Sequence, residues 1–393
     1  MKPDTVKTDM SLMTLLTIAL FLPFTLIAGP IIADHTCTKI SEIPLQYISQ
    51  AKSALHIAYG HTSHGSQLID GMSSLVAFMN GLGYPQNLYA FNNGGTNGAL
   101  DLKDGPFSGA SDLGNPNRTA WEASTRTYLN AHPEINVIIW SWCGQVDGTE
   151  SDINLYLNLM SGLEHDYPNI KFVYMTGHLN GTGTSGNVNL RNQQIRNYCT
   201  GNNKILFDFA DIESYDPDGQ INYMQLSAND NCDYDSNGDH NLDANWATIW
   251  QNSHTVNVDW YNCSSAHSQP LNANRKAYAA WWLWARLAGW DGNSGYTDTA
   301  SSSMQKYEFV LSANYPNPFN PNTTFRFSIP QPGFVTLKIF DPCGTLITTL
   351  VSTQFDAGTY HTVWDASGFA SGVYFYRLES GNLMETKKLV LLR

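Results

Sequence analysis

The fold of the larger part of this chain is decided by Leu-His-Ile-Ala-Tyr-Gly-His-Thr-Ser-His-Gly-Ser-Gln-Leu, residues 55–68. A short apolar run ends at Gly60, and a cluster of His and Ser then leads into an apolar-periodic segment over 68–82. This pattern predicts a buried strand, a tight turn and a helix. A hydroxyl at such a turn lies at the carboxyl edge of a sheet and near the positive end of a helix, so Ser63 is a candidate nucleophile. The alternative is that Ser63 and Ser66 only cap the helix.

The same order of strand, polar turn and helix recurs along the chain. Further strands are predicted at 135–143, 171–176 and 204–209, and further helices at 40–54, 118–131, 153–164, 189–198 and 277–287. Four strands alternating with helices predict right-handed crossovers, a parallel sheet and a ligand site at the carboxyl ends of the strands. We therefore expect an α/β domain with a flavodoxin-like parallel sheet flanked by helices.

Composition and charge narrow the class of partner. The net charge is −13, charged residues make up only 14% of the chain, and aromatic residues reach 12%. Phosphate binding needs clustered Lys and Arg, which this chain does not have, so we do not expect nucleic acid as a partner. A neutral ligand such as a glycan fits this composition better.

The first 33 residues are typical of an export signal. Lys2 and Lys7 precede an apolar run over 12–28, and we expect cleavage between Ala28 and Asp34. An uncleaved N-terminal anchor is the alternative. We divide the rest into an α/β domain (34–292), a linker (293–306) and a C-terminal domain (307–393).

Export permits disulfides among the six Cys, and Cys232 with Cys263 is the favoured pair. These two Cys lie in a long insertion, 214–263, which carries two further features. Its run of alternating oxygen-bearing residues around Gly238 resembles a calcium loop, and the expected ligands are Asp233, Asp235, Asn237 and Asp239. A solvated acidic turn is the alternative. The insertion also holds Trp246, which either contacts a sugar or belongs to a small local core.

The polar turns, taken together, resemble those of the SGNH (GDSL-like) hydrolase superfamily over about 55–290. The segment from Gly60 to Ser63 stands where that superfamily carries its nucleophile in a Gly-Asp-Ser-like turn. The resemblance also implies oxyanion donors, which would be Gly94 or Gly95 in the second turn and Gln145 in the third.

The fourth turn of the superfamily, Asp-x-x-His, is matched by His267, although Ser264 stands at the position of the acid. The resemblance implies that His267 is the base that takes the proton of Ser63. The acid that orients His267 would then come from elsewhere, for example Asp259.

Histidines at the strand ends offer a second chemistry. His61, His64 and His178, with Asp147 or Asp208, could bind zinc and activate water. In the serine mechanism the same turns would bind the substrate, and the expected contacts are His61, His64, Asp147, His178 and Trp246.

The C-terminal residues differ in composition and form short alternating strands. Strands are predicted at 325–329, 335–340, 346–351, 358–364, 372–378 and 386–392, which is typical of a small all-β sandwich. Tyr-Pro-Asn-Pro-Phe-Asn-Pro at 315–321 and the terminal Lys-Lys-Leu-Val-Leu-Leu-Arg resemble the type A C-terminal sorting domain of the type IX secretion system. That resemblance implies the secretion machinery as a partner and passage through both membranes to the cell surface or the medium.

These observations favour an exported serine esterase that removes acyl groups from glycans. A non-catalytic carbohydrate-binding protein on the same fold and a zinc-dependent hydrolase are the alternatives. We expect a monomer that requires no cofactor, apart from structural calcium in the acidic loop.

Overall fold

The computed structural model describes residues 29–292, 309–330, 333–355, 358–381 and 383–392. The chain divides into two compact units, 1–294 and 295–393, so the division falls inside the predicted linker. Residues 1–28 of the predicted signal peptide and the whole predicted linker lie outside the described residues. Within the described ranges, no helix is long and apolar enough to cross a membrane.

A seven-stranded parallel sheet forms the centre of the first unit. Its strands are β1 (Ile31–Ala33), β2 (His56–Gly60), β3 (Phe91–Asn92), β4 (Leu100–Asp104), β5 (Val137–Trp140), β6 (Lys171–Met175) and β7 (Ile205–Phe207). Their order in the sheet is β1-β7-β6-β5-β2-β4-β3. Without the two edge strands, β1 and β3, five strands remain in the order β4-β2-β5-β6-β7. Renumbered along the chain, this is the order 2-1-3-4-5 of flavodoxin-like sheets, and the topological switch point lies between β2 and β5.

Helices cover both faces of this sheet, which confirms the α/β class. They are α1 (Leu45–Ala54), α2 (Ser63–Gly81), α3 (Ala120–Ala131), α4 (Glu150–Asp166), α5 (Asn187–Gly201), α6 (Phe209–Ile212), α7 (Trp246–Ser253) and α8 (Pro270–Leu287). Ile57 and Tyr59 of β2 point into the core beneath α1, α2 and α8. Ala58, between them, points into the opposite core beneath α3, α4 and α5. This alternation is what the period of a strand requires when both faces are buried.

Three strands were not predicted. Strand β1 lies inside the predicted signal peptide, and Ile31 pairs with Ile205 at the edge of the sheet. The signal peptide and its cleavage between Ala28 and Asp34 stay predictions. Strand β3 is only two residues long, and the five residues of β4, Leu-Asp-Leu-Lys-Asp, include three charged side chains and no continuous apolar run.

The predicted disulfide is also corrected. All six Cys are unpaired thiols, including Cys232 and Cys263. Cys232 is fully buried and contacts the Ser268 hydroxyl at 3.5 Å, whereas the Cys263 thiol donates to the Pro270 carbonyl at 3.7 Å. Hydrophobic packing around Trp246, rather than a covalent link, holds the insertion in place.

The second unit is a β-sandwich, as predicted. The strand labels β8 (Asp233–Tyr234) and β9 (Ala244–Asn245) belong to a two-stranded ribbon in the first unit. The strands of the second unit are β10 (Val310–Leu311), β11 (Asn322–Ile329), β12 (Gly333–Phe340), β13 (Leu346–Phe355), β14 (Gly358–Asp365), β15 (Gly372–Ser380) and β16 (Leu383–Leu391). These seven strands form antiparallel sheets of three and four strands around one apolar core. All six predicted strands are present within a few residues, and β10 is the one that the pattern missed.

Helices α2 and α8 approach so closely that one position in α2 has no room for a side chain. A Cβ added at Gly71 would lie 2.2 Å from the carbonyl oxygen of Ala273 in α8. Gly71→Ala should therefore lower the free energy of unfolding by ~1–3 kcal/mol, which urea denaturation followed by Trp fluorescence measures. Gly81→Ala, at the open end of the same helix, is the matched control and should be neutral or stabilise by up to about 1 kcal/mol. Equal stabilities for the two variants would contradict this packing.

Candidate functional site

The functional side chains lie on both sides of the switch point, at the carboxyl edge of the sheet. Helix α2 starts at Ser63, directly after β2, and His64 follows in its first turn. Cys143 stands three residues after the end of β5, and His178 stands three residues after the end of β6. Ligands bind at this place in open parallel sheets because neighbouring connections diverge there and leave a crevice.

A relay of three side chains crosses this crevice. The Cys143 Sγ lies 3.5 Å from the His64 Nδ1, and the His64 Nε2 lies 2.9 Å from the Asp230 Oδ2. Asp230 comes from the insertion that follows β7. Because the carboxylate accepts from Nε2–H, the Nδ1 that faces the thiol is left free to take a proton. The arrangement of thiol, imidazole and carboxylate is that of a nucleophile, a base and the group that orients the base.

The His64 ring is stacked against two other imidazoles. The centroid of His178 lies 3.8 Å away with an interplanar angle of 1°, and that of His267 lies 4.5 Å away. Burial lowers the pKa of His64, and the nearby His178 lowers it further, although the hydrogen bond to Asp230 opposes both. Burial is the largest single influence on Asp230 and raises its pKa, but the hydrogen bond to His64, the two neighbouring imidazoles and a backbone N–H together hold the pKa of Asp230 below its usual value. His64 is thus held neutral, as a base must be, beside an ionised carboxylate.

A buried ion pair lies beneath these rings. The Lys276 Nζ in α8 donates to the Glu213 Oε2 at 2.7 Å, and both side chains are at most 1% exposed. The Glu213 carboxylate also accepts the backbone N–H of Leu179, the neighbour of His178. Lys276 also donates to the side chain of Gln67, one turn after His64.

The amide of Gln67 connects this network to the fourth segment of the site. Its Nε2 donates to the Ala266 carbonyl at 2.5 Å, directly before His267. Burial lowers the pKa of Lys276, and the charge of Glu213 opposes that change. The network therefore ties α2, the turn after β6 and the segment before α8 to one buried charge pair.

The predicted nucleophile Ser63 and the predicted base His267 both lie in this site, but no hydrogen bond links the two described side chains. Among the described residues, the Ser63 hydroxyl makes one hydrogen-bond contact, with the Cys143 Sγ at 3.6 Å. His267 is exposed and stacks on the His64 ring, and the hydrogen-bond contact that the Ser63 hydroxyl makes is with Cys143, not with His267. Asp259 accepts the backbone N–H of Thr255 within its own loop, not a His267 nitrogen. No measurement tests the roles of Ser63 and His267, which stay predictions.

The predicted oxyanion donors are divided between the two edges of the sheet. Gln145 lies at the site, where its Oε1 accepts the backbone N–H of Cys143 at 3.1 Å. The Gly94 N–H instead donates to Asp101, which is level with His56 at the start of β2. Gly94 and the adjoining Gly95 therefore lie toward the amino edge, roughly 13 Å from the end of β2 at 3.3 Å per residue. This corrects their placement, because β3 ends four residues lower in the register than β2.

The remaining predicted ligands of zinc or substrate have partners of their own. His61 pairs with Asp104 at 2.5 Å, Asp147 accepts from Asn187 at 2.7 Å, and Asp208 holds Arg196 through two hydrogen bonds. His64 and His178 are the members of the predicted zinc set that the fold brings together.

The Trp246 side chain is buried. The ring is 1% exposed and lies in a small core with Leu179, Tyr223 and Cys232. The ring therefore belongs to the small local core, and substrate contact by Trp246 stays a prediction.

The oxygens of the predicted calcium loop are engaged within the loop. Asp235 accepts backbone N–H groups from four residues, 237–240. Asp233 accepts the side-chain amides of Asn229, Asn231 and Asn245, and Asn237 and Asp239 each accept a neighbouring backbone N–H. These contacts do not test calcium binding, which stays a prediction.

Two residues of the relay were missed from the sequence. Cys143 was counted as a disulfide candidate, although its place at the end of a buried strand, directly before Gly144, was a usable signal. Asp230 gave no such signal, because it stands among many acidic residues and its contact with His64 spans 166 positions. The insertion folds back over the sheet, and local patterns do not contain that information.

The fold and the relay thus define an α/β protein with a thiol–imidazole–carboxylate site, joined to a β-sandwich. Residues 313–392 match the family described as a secretion system C-terminal sorting domain. The match confirms the resemblance seen in the sequence for this segment. The protein is therefore exported by the type IX secretion system to the cell surface or the extracellular space.

Several solved structures are similar to parts of the chain. PorZ, a bacterial surface component of the type IX secretion system of Porphyromonas gingivalis, is 24% identical over 21% of this chain and 11% of its own, with a TM-score of 0.16. Dimeric latent PorU from the same organism is 21% identical over 22% of this chain and 9% of its own, with a TM-score of 0.19. An endo-β-1,4-mannanase from Thermotoga petrophila is 11% identical over 86% of this chain and 64% of its own, with a TM-score of 0.21.

These scores are too low to carry an argument about the fold or the activity of the first unit. No curated protein matches the sequence. None of these matches supports the SGNH resemblance, which stays a prediction.

The buried ion pair gives a test of how the site is held. Lys276→Met leaves the Glu213 charge buried without a partner, so we expect a loss of ~3–5 kcal/mol in the free energy of unfolding. Urea denaturation followed by Trp fluorescence measures it, because ten of the eleven Trp belong to the first unit. Lys39→Met removes an exposed pair with Glu42 and should cost about 1 kcal/mol or less. A loss for Lys276→Met no larger than this control would contradict the role of the pair.

Proposed function

We propose that this protein is an exported acyl hydrolase in which Cys143 is the nucleophile, His64 the base and Asp230 the group that orients the base. The observation that carries the proposal is the continuous relay from the Cys143 Sγ through both nitrogens of His64 to the Asp230 carboxylate. The proposal keeps the ester hydrolysis that the SGNH resemblance implies, but it moves the nucleophile from β2 to β5.

The chemistry follows the usual two steps of covalent catalysis. His64 Nδ1 takes the proton of the Cys143 thiol, and the thiolate attacks the carbonyl carbon of the acyl group. The tetrahedral intermediate collapses, the alcohol leaves with the proton from His64, and a thioester remains on Cys143. Water, deprotonated by His64, then attacks the thioester and releases the carboxylic acid and the free thiol. Asp230 holds the imidazole in the required tautomer and stabilises its charged form.

Two groups can stabilise the negative charge that develops on the carbonyl oxygen. Helix α2 begins at Ser63, so the first backbone N–H groups of the helix face the crevice with the positive end of its dipole. Gln145 is oriented by its Oε1, which accepts from Cys143, and this leaves its Nε2 as a donor. One oxyanion donor is worth ~3 kcal/mol in such reactions.

The substrate class follows from the location and the charge of the protein. The protein acts outside the cell and has a net charge of −13, with only 21 Lys and Arg among 393 residues. An uncharged acyl ester fits these conditions, and acylated glycans are the extracellular class that we propose.

Activity on a chromogenic acetyl ester separates the two nucleophiles. Cys143→Ala should lower kcat/KM by on the order of 10⁴-fold, because it removes the group that forms the covalent bond. Ser63→Ala should lower it by less than about tenfold, since the Ser63 hydroxyl offers one hydrogen bond to the thiol. Iodoacetamide should inactivate the wild type. It should inactivate Cys343→Ala equally, because this variant lacks only the exposed thiol of the sorting domain. Full loss in Ser63→Ala with activity retained in Cys143→Ala would restore the serine mechanism.

A further inference from the structure

We infer that His64, Asp230 and His267 form a zinc site, and that zinc bound there switches the hydrolase site off. The zinc site itself stands on the geometry of these three residues, and only its inhibitory effect rests on the proposed function. It differs from the zinc set predicted from the sequence, because Asp230 and His267 replace His61, His178 and the acids of the strand ends.

The donor atoms already lie close together. One nitrogen of each imidazole and a carboxylate oxygen of Asp230 are within 4.8 Å of one another. His64 Nε2 and Asp230 Oδ2, at 2.9 Å, are nearer than the roughly 3.4 Å that separates two ligands of tetrahedral zinc. Binding an ion therefore needs this pair to separate by about 0.5 Å and the exposed His267 side chain to approach by up to about 1.4 Å on the same geometry.

The ligand set suits zinc and leaves room for a fourth ligand. Two imidazoles and one carboxylate are a common set for zinc with an open position for water. The three side chains come from α2, the insertion and the segment before α8, so an ion would join parts of the chain that are far apart in sequence. The surroundings also support the first ligand, because the second nitrogen of His64 faces the Cys143 Sγ at 3.5 Å.

Zinc at this place would remove the base. The ion needs the lone pair of His64 Nε2, so the single proton of the neutral ring moves to Nδ1. A protonated Nδ1 cannot take the proton of the Cys143 thiol, and it can only donate toward the sulfur. Hydrolysis therefore stops while zinc is bound and resumes when the ion is removed.

A second cluster in the described residues shows why this site is preferred. Asp34, His35 and Asp211 also lie within reach of one ion. That group has one imidazole and two carboxylates, a set that suits zinc less well than two imidazoles and one carboxylate. His35→Ala is therefore a matched control, since it removes a histidine from a cluster of similar size.

The experiment is a titration of the EDTA-treated full chain with zinc chloride, by calorimetry and by competition with a chromophoric chelator. We expect one zinc per chain, an affinity at least tenfold lower in His267→Ala and in Asp230→Asn, and no change in His35→Ala. Cys143→Ser should bind zinc like the wild type, so this result does not depend on the proposed function. Binding that survives in His267→Ala, or that is lost in His35→Ala, would overturn the site.

The inhibitory effect is measured on the same samples with the acetyl ester. One equivalent of zinc should abolish wild-type hydrolysis, and EDTA should restore it. Absence of zinc binding would overturn this inference and leave the cysteine mechanism standing. Zinc binding that raises hydrolysis, with activity retained in Cys143→Ser, would overturn the inhibition and replace the thiol by a metal-bound water.

Discussion

The buried pair of Lys276 and Glu213 is the constraint on which the rest of the site depends. Two opposite charges removed from water are tolerated only when each finds its partner and further hydrogen bonds. Here those further bonds go to Gln67 and to the backbone beside His178. Three segments that are distant in sequence must therefore assemble together, because any other arrangement leaves a buried charge without a partner.

This assembly explains why a histidine can be kept neutral at the centre of the crevice. His64 is buried, its ring stacks against His178 and His267, and it is hydrogen-bonded to the ionised carboxylate of Asp230. Burial and the neighbouring His178 ring disfavour a positive charge on His64, while Asp230 fixes which nitrogen of His64 carries the proton. A free nitrogen facing a thiol follows from these contacts. One nitrogen each of His64 and His267 and an oxygen of Asp230 also lie within 4.8 Å of one another, so the same cluster underlies both proposals.

The sequence predicted the parts of the structure that local patterns determine. Strand–turn–helix periodicity predicted β2, β5, β6 and β7, their helices, and the edge at which polar groups gather. It did not predict β1 and β3, because edge strands of two or three residues carry no periodic signal, nor β4, whose five residues include three charged side chains. It placed Gly94 at the site because a glycine-rich turn looks the same whichever edge of the sheet it occupies, and only the register against Asp101 shows its level.

The proposed nucleophile differs from the one predicted from the sequence, because the resemblance to a serine hydrolase implies Ser63 whereas the relay favours Cys143. The most direct test is to trap the acyl intermediate with an activated acetyl ester, quench in acid and digest with trypsin. Residues 53–103 and 127–171 give separate peptides, which carry Ser63 and Cys143 respectively. The relay predicts one acetyl group on the peptide 127–171, located on Cys143 by fragmentation. An acetyl group on Ser63 instead would contradict it.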